Sequence, residues 1–243
     1  WQGLNTRDKS RVAIKVLREE FLSSTQARER FRREAELTEQ LNSPQTLKVI
    51  KYGLTPERVP YIIMELLEGN DLQSLLDRDG PFSVIESLEV IIEILKALTE
   101  AHQIGIIHRD IKPSNLFKTH SQSKHAVKIL DFGLATQNNH SQLEPRDRSL
   151  VGTYYYMSPE QAERGSITPK TDLYSVGATL YTLLTGHLPR KPTEGDKSFE
   201  HFKQPAPKPK EKNPQIKAPA KLDMLIQRCL AVSPSERPES ADV

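Results

Sequence analysis

The sequence predicts an α+β chain folded as two lobes, a small antiparallel sheet with one helix and a larger lobe that is mainly helical. Short β-branched runs of alternating polarity occur up to Glu65, interrupted by one stretch of helical period. After Glu68-Gly69-Asn70 the apolar residues recur at helical spacing instead. Two capping-box patterns, Ser23 with Gln26 and Ser83 with Glu86, stand on either side of that change. The small lobe is accordingly drawn at residues 1–67 and the large lobe at 68–243.

In chain order, Arg11-Val12-Ala13-Ile14-Lys15-Val16-Leu17 alternates so that Ala13 and Lys15 share one face while Val12, Ile14 and Val16 share the other. This strand aims a lysine at something. The first capping box opens a helix of about 18 residues with Ala27, Phe31, Ala35 and Leu37 on or near one stripe. Val49–Leu54 and Tyr61–Glu65 read as strands joined by a Thr-Pro-Glu-Arg turn. In the second lobe, Leu88, Ile91, Ile92, Leu95 and Leu98 trace a helical stripe that ends at Gly105. Residues 171–186 and 219–230 carry the same period, 189–219 form a Pro- and Lys-rich connector, and there are no internal repeats.

Composition limits the function classes. At about 150 residues per domain, 243 residues make one or two domains with a sizeable core. Lys and Arg number 34 against 32 Asp and Glu, a net charge of +2 that argues against nucleic-acid binding. Cys229, the lone cysteine, cannot form an internal disulfide; it follows Leu225 and Ile226 at helical spacing and reads as a core residue of a protein in a reducing compartment. No run reaches the ~18 apolar residues of a membrane span, and Trp1-Gln2-Gly3-Leu4 opens no leader. With no initiating Met and an end at Ala241-Asp242-Val243 just after a helix start, the chain reads as an excised piece whose last helix is incomplete. A cytoplasmic location is expected, with any anchor outside these residues.

The chemistry concentrates in His108-Arg109-Asp110-Ile111-Lys112-Pro113-Ser114-Asn115 and, further on, Asp131-Phe132-Gly133. Two acids, an amide and a lysine in neighbouring loops suit phosphoryl transfer. One carboxylate takes a hydroxyl proton, a carboxylate and an amide hold Mg²⁺, and a lysine offsets charge on the moving group.

Together with the strand lysine, these motifs resemble the protein-kinase family over nearly the whole chain. The resemblance implies that Lys15 holds the phosphates of ATP with Glu34 as its helix partner. It makes Asp110 the base, Lys112 the charge stabiliser, Asn115 and Asp131 the Mg²⁺ ligands, and His108 and Phe132 packing residues between the lobes. Lys112-Pro113-Ser114-Asn115 is similar to serine/threonine rather than tyrosine kinases. Met64-Glu65-Leu66-Leu67 looks like the adenine-binding hinge, Glu65 offering a carbonyl and Leu67 an N–H while Met64 gates the deeper pocket. Ala13 above and Leu116 below would sandwich the ring. Gly152 to Glu160 resembles the end of the activation segment, with Ser158-Pro159-Glu160 in place of the usual Ala-Pro-Glu. There Thr153 would bridge to Asp110 and Lys112, Glu160 would pair with Arg237, and Asp172 would brace the catalytic loop from a buried helix. Ser149 is the expected regulatory phosphosite, with Arg109, Arg146 and Arg148 available to receive its phosphate. Phe31-Arg32-Arg33-Glu34-Ala35 and Ser158-Pro159-Glu160-Gln161-Ala162 are similar to bacterial members.

Some stretches depart from the pattern. Lys118 to His125 is long enough for an enlarged hairpin, and its two histidines read as part of a solvated loop rather than a metal site. Lys203, Lys208, Lys210, Lys212, Lys217 and Lys221 lie among prolines in a connector that could also dock an acidic partner. Only Gly3 precedes Lys15, so the glycine-rich loop that covers the phosphates is not among these residues. The chain by itself is therefore expected to be a weak or inactive kinase, with an unpaired sheet edge through which it self-associates. Protein substrates and autophosphorylation are expected of the parent. A small-molecule phosphotransferase and a nucleotide-binding pseudokinase share parts of the pattern. The stretch ending in Ser158-Pro159-Glu160 favours a protein acceptor over the first, and the joint presence of Lys15, Asp110, Asn115 and Asp131 favours transfer over the second.

Overall fold

The computed structural model describes residues 1–120, 127–132, 155–190, 202 and 204–242, with 136–137 described by backbone alone. The small lobe is a sheet of β1 (Gln2–Leu4), β2 (Arg11–Val16), β3 (Val49–Leu54) and β4 (Pro60–Glu65) in the order β1-β2-β4-β3, all neighbours antiparallel. Between β2 and β3 runs α1 (Thr25–Glu39), which buries Phe31 and Ala35 against Ile62 of β4. Lys15 therefore lies in an interior strand. The sequence reading made the lysine strand the sheet edge, but β1 covers it with the register Gln2↔Ala13, Gly3↔Val12 and Leu4↔Arg11. Three residues are too few for a period to show, which is why the pattern missed them. A Cβ at Gly3 would lie 2.7 Å from Ile14 Cδ1, the movable end of that side chain.

The N-terminus of α1 is also one residue later than its spacing predicts. Ser24, not Ser23, is the cap, in extended backbone with its side chain accepting from the Ala27 N–H. Ser23 belongs to the turn behind it, closed by the Ser24 N–H donating to the Phe21 carbonyl at 3.1 Å.

The large lobe begins at β5 (Gly69–Asp71) and α2 (Leu72–Asp79), followed by α3 (Val84–Gln103), β6 (Ile106–Ile107), β7 (Leu116–Thr119), β8 (Val127–Ile129) and β9 (Thr136–Gln137). Then come α4 (Pro159–Ala162), α5 (Pro169–Thr185), α6 (Pro209–Lys212) and α7 (Ala220–Cys229). β5, β7 and β8 form one antiparallel sheet, and β6 pairs with β9. The expected enlarged hairpin lies between β7 and β8, but residues 121–126, His125 among them, fall outside the described residues. α3 opens on the full Ser83–Glu86 capping box and is followed by Gly105 at φ +77°, a left-handed stop that glycine adopts without strain. Ile91 and Leu98 are buried as expected. Ile92 is 50% exposed and not on the core stripe, because it lies 100° around the helix from its neighbour Ile91.

α5 is the centre of the large lobe: every residue from Thr171 to Thr185 is buried. It is apolar or small on all sides, as a helix surrounded by protein requires. α7 packs across it where Gly177 faces Cys229. Burial pushes the Cys229 thiol up to about 11, consistent with a packing role. A Cβ on Gly177 would lie 2.5 Å from Cys229 Cβ, an atom fixed to the α7 backbone. Helix propensity favours Ala over Gly by about 1 kcal/mol. The overlap forces the helices apart and outweighs it, so Gly177→Ala is expected to lose about 1–3 kcal/mol in urea unfolding. A gain in stability would contradict this packing.

Candidate active site

The site assembles where β2, α1, the loop after β6 and the end of β8 converge. Lys15 Nζ donates to Glu34 Oε1 of α1 at 2.6 Å and lies 3.3 Å from Asp131 Oδ2, just beyond β8. The strand alternation aims Lys15 inward, and Glu34 lies one turn from the buried Phe31 and next to Ala35, so packing of that helix face brings the pair together. One cation serves two carboxylates. Burial alone would lower Lys15, but Asp131 and Glu34 outweigh it and favour the ammonium. Glu34 is pushed up to about 7, by burial first and then by repulsion from Asp131, against the pull of Lys15.

The loop after β6 is held from below. Asp172, fully buried in the first turn of α5, accepts the backbone N–H groups of His108 at 2.9 Å and Arg109 at 2.8 Å, and the His102 ring lies 2.8 Å away. Burial would raise this carboxyl, but the His102 contact and the N–H donors hold it below its usual range. Arg109 takes the left-handed conformation, φ +68°, and its carbonyl accepts from Gln161 Nε2 of α4 at 2.9 Å. The chain reverses there and presents Asp110. Lys112 Nζ and Asn115 Nδ2 each donate to Asp110 Oδ2 at 2.8 Å, whereas Asp110 Oδ1 is buried with no partner among the described residues. Burial is the main effect raising the Asp110 carboxyl, and Lys112 opposes it.

Asn115 ends a single 3₁₀ turn, Pro113–Asn115, and its carbonyl accepts the Leu130 N–H at 2.9 Å, which seats Asp131 beside it. Phe132 packs edge-on against His108, ring centroids 4.5 Å apart. Glu160 and the fully buried Arg237 form a two-pronged ion pair, each contact 2.7 Å. The structure thus brings together Lys15, Glu34, Asp131, Asp110, Lys112 and Asn115, and separately Glu160 with Arg237.

These 243 residues match, from residue 1 to residue 243, the family model described as protein kinase domain. The chain belongs to the protein kinase family. It is 35% identical to the serine/threonine-protein kinase pkn3 of Myxococcus xanthus over 95% of its own length and 43% of the relative's. It is 34% identical to PrkC of Bacillus subtilis and to PknB of Mycobacterium leprae, in each case over 95% of this chain, covering 35% and 37% of those proteins. The chain thus spans less than half the length of these curated relatives. A solved structure of the Rad53 kinase domain and SCD2 shares the fold, with a TM-score of 0.77 at 23% identity over 99% of this chain and 82% of that one.

The segment that joins the two lobes follows β4. Met64 lies opposite Ala13 in the β2–β4 register, and Leu116 is fully buried at the start of β7, opposite Ile129. Glu65 does more than its sequence neighbourhood signals. Its carboxylate receives Lys128 Nζ of β8 at 2.5 Å and the Lys48 N–H at 2.8 Å, tying the end of the small sheet to the large lobe. Gln161 and His102 likewise escape sequence reading, because each acts across more than 50 residues through one contact. Ser149, Thr153 and Gly133 lie outside the described residues, as do Arg146, Arg148 and Lys203.

Asn115 and Asp131 fit a divalent cation. The Asn115 nitrogen is committed to Asp110 Oδ2 and to the Asp110 carbonyl at 2.9 Å, which leaves its amide oxygen for another partner. An amide oxygen and a carboxylate are hard donors, suited to Mg²⁺, which takes most of its shell from water and phosphate. Among the described residues no group of three or more His, Cys, Asp or Glu could hold a metal.

Two outcomes follow from these contacts. Glu160→Ala strands the Arg237 guanidinium in the core, where it is 2% exposed, and is expected to cost about 3–5 kcal/mol in denaturant unfolding. A loss under about 1 kcal/mol would mean that the pair is not structural. Between the usual 4.5 of glutamate and about 7, the folded chain holds the Glu34 proton while the unfolded chain releases it. Stability therefore falls as pH rises through that window. Glu34→Gln should flatten that slope; an unchanged slope would assign it to other groups.

Proposed function

We propose that this chain is the catalytic domain of a serine/threonine protein kinase that transfers the γ-phosphoryl group of ATP to hydroxyls of protein substrates. The observation that carries the reading is the Asp110 carboxylate. One oxygen is fixed by Lys112 and Asn115, and the other is buried with no partner among the described residues, available to a hydroxyl proton. Burial makes Asp110 a stronger base than a free carboxylate.

In this reading the adenine lies between Ala13 and Leu116, with the Glu65 carbonyl accepting and the Leu67 N–H donating. Lys15, positioned by Glu34, presents its ammonium to the phosphates. Asn115 and Asp131 hold Mg²⁺, which when bound neutralises phosphate charge. Asp110 accepts the proton of the acceptor hydroxyl, and Lys112 faces the charge that develops on the transferring group. Catalysis is mainly positioning and electrostatics. Hydroxyl acceptors on serine or threonine are supported by Lys112-Pro113-Ser114-Asn115 and by the names of the relatives above.

Asp110→Asn is the decisive variant. It should lower turnover on a generic protein acceptor by about 10²- to 10⁴-fold while ATP affinity changes little, because the base acts on the acceptor rather than on bound nucleotide. Equal activity of the two proteins would reject Asp110 as base, and nucleotide binding without turnover in either would support a pseudokinase. Only Gly3 precedes Lys15, so we also propose that these residues by themselves transfer slowly. The assay is therefore run on the 243 residues and on a version extended upstream.

A further inference from the structure

Positive charge is unevenly spread along this chain. Between residues 208 and 228 the cations are Lys208, Lys210, Lys212, Lys217, Lys221 and Arg228, against the acids Glu211 and Asp223. That excess of four exceeds the +2 of the whole chain, so the remaining residues are net negative and the cationic stretch stands out against them. All six cations are exposed, and among the described residues none of them forms an ion pair.

The outer side of α7 belongs to this stretch. At about 100° per residue, Lys221, Met224, Leu225 and Arg228 fall within an arc of about 100°, while the buried Leu222 and Ile226 face the other way. Met224 is 65% exposed and Leu225 42%, two large apolar side chains kept in water between two cations. Asp223 lies about 150° around the helix from the centre of that arc, so no acid of α7 shares it. The lysine connector runs beside this face. Gln227 Nε2 donates to the Pro207 carbonyl at 3.4 Å, and Gln227 is one turn from Met224, which puts the start of the lysine run on the Met224 side of α7. Lys217 lies just before the helix begins. Asn213, at the end of α6, donates to the Leu184 carbonyl at 3.1 Å, so the lysine-bearing α6 is seated at the last turn of α5. Asp172 is in the first turn of α5, about 18 Å away along the helix axis. The face is thus remote from the loop that presents Asp110.

Exposed Met and Leu ringed by cations suit a partner that is anionic at its surface and apolar beneath. Five of the six cations are Lys. Protein interfaces favour Arg and deplete Lys, whereas a lysine ammonium is a point charge that meets phosphate without a fixed fork geometry. Its stem can lie in an apolar layer while its head stays among headgroups. These features favour a lipid surface over the acidic polypeptide that the lysines alone would also suit. We propose that the outer face of α7 and the adjoining lysines of α6 form a peripheral docking surface for an anionic phospholipid bilayer. Met224 and Leu225 enter the headgroup boundary, and the six cations lie against the lipid phosphates. This contact does not depend on phosphotransfer.

Co-sedimentation of the 243-residue protein with vesicles of phosphatidylcholine, alone or with about one-third phosphatidylglycerol, reads the surface directly. Binding to the anionic vesicles is expected to be about tenfold tighter or more, fading at high salt. Lys217→Gln, Lys221→Gln and Arg228→Gln combined should lower that affinity by more than about tenfold. Met224→Ser with Leu225→Ser should lower it about three- to tenfold at unchanged charge, the mark of apolar insertion. Glu211→Lys should raise it about fivefold or more, a salt-sensitive gain that a loss of folding would not give. Equal binding to both kinds of vesicle, or anionic-vesicle binding that either set of substitutions leaves unchanged, would overturn the proposal. Saturable binding of polyglutamate that depends on Met224 and Leu225, with no vesicle binding, would assign the face to an acidic polypeptide and overturn it too.

Discussion

The carboxylate of Asp172 is the contact on which the arrangement of the site depends. It lies at zero exposure in the first turn of α5, and a bare carboxylate there would be costly. Its stability comes from donors that the catalytic loop supplies: the N–H groups of His108 and Arg109, with His102 of α3 as a third contact. The dependence is mutual. Those N–H groups are themselves in the core, and without Asp172 they would be left unsatisfied. The loop is therefore locked where α3 meets α5, and the left-handed turn at Arg109 that projects Asp110 is enforced from both sides.

The small lobe is joined to that anchor by a few polar contacts. Glu100 of α3 accepts the N–H groups of Asn42 and Ser43, in the segment after α1, at 2.8 and 2.6 Å. The Leu47 and Ile129 N–H groups complete the seam, donating to the Ile129 and Gln45 carbonyls. Because the exit of α1 is pinned to α3, Glu34 is held over the end of β8, where Lys15 can meet it and Asp131 together. The three-group cluster is thus a result of lobe placement. Burial there, and after it repulsion from Asp131, leaves Glu34 with raised proton affinity that Lys15 only partly offsets.

Glu160 and Arg237 act similarly at the start of α5. Burial opposes the Glu160 charge, yet Arg237 holds the carboxyl below its usual range, and the guanidinium spends its remaining donors on the Ala231, Val232 and Lys170 carbonyls. A fully hydrogen-bonded buried pair of this kind fixes geometry more than it adds net stability. Here it fixes α4 against the start of α5, next to the Asp172 anchor.

The sequence by itself determined the two-lobed α+β class and the long helices with their Ser83 cap and Gly105 stop, and it singled out Lys15, Glu34, Asp110, Lys112, Asn115 and Asp131, which the fold brings together. Periodicity and capping are local, and these motifs are short and contiguous, so both can be read along the chain. The tertiary structure decided what local pattern cannot carry. It set a three-residue strand beside Arg11–Ala13 of the lysine strand, placed the α1 cap at Ser24 rather than Ser23, and turned Ile92 outward. It also gave structural roles to Glu65, Gln161, His102 and Glu100. Each of these four side chains depends on a partner far away in sequence, and the free energy of such a contact comes from burial and hydrogen bonding that exist only once the lobes have packed.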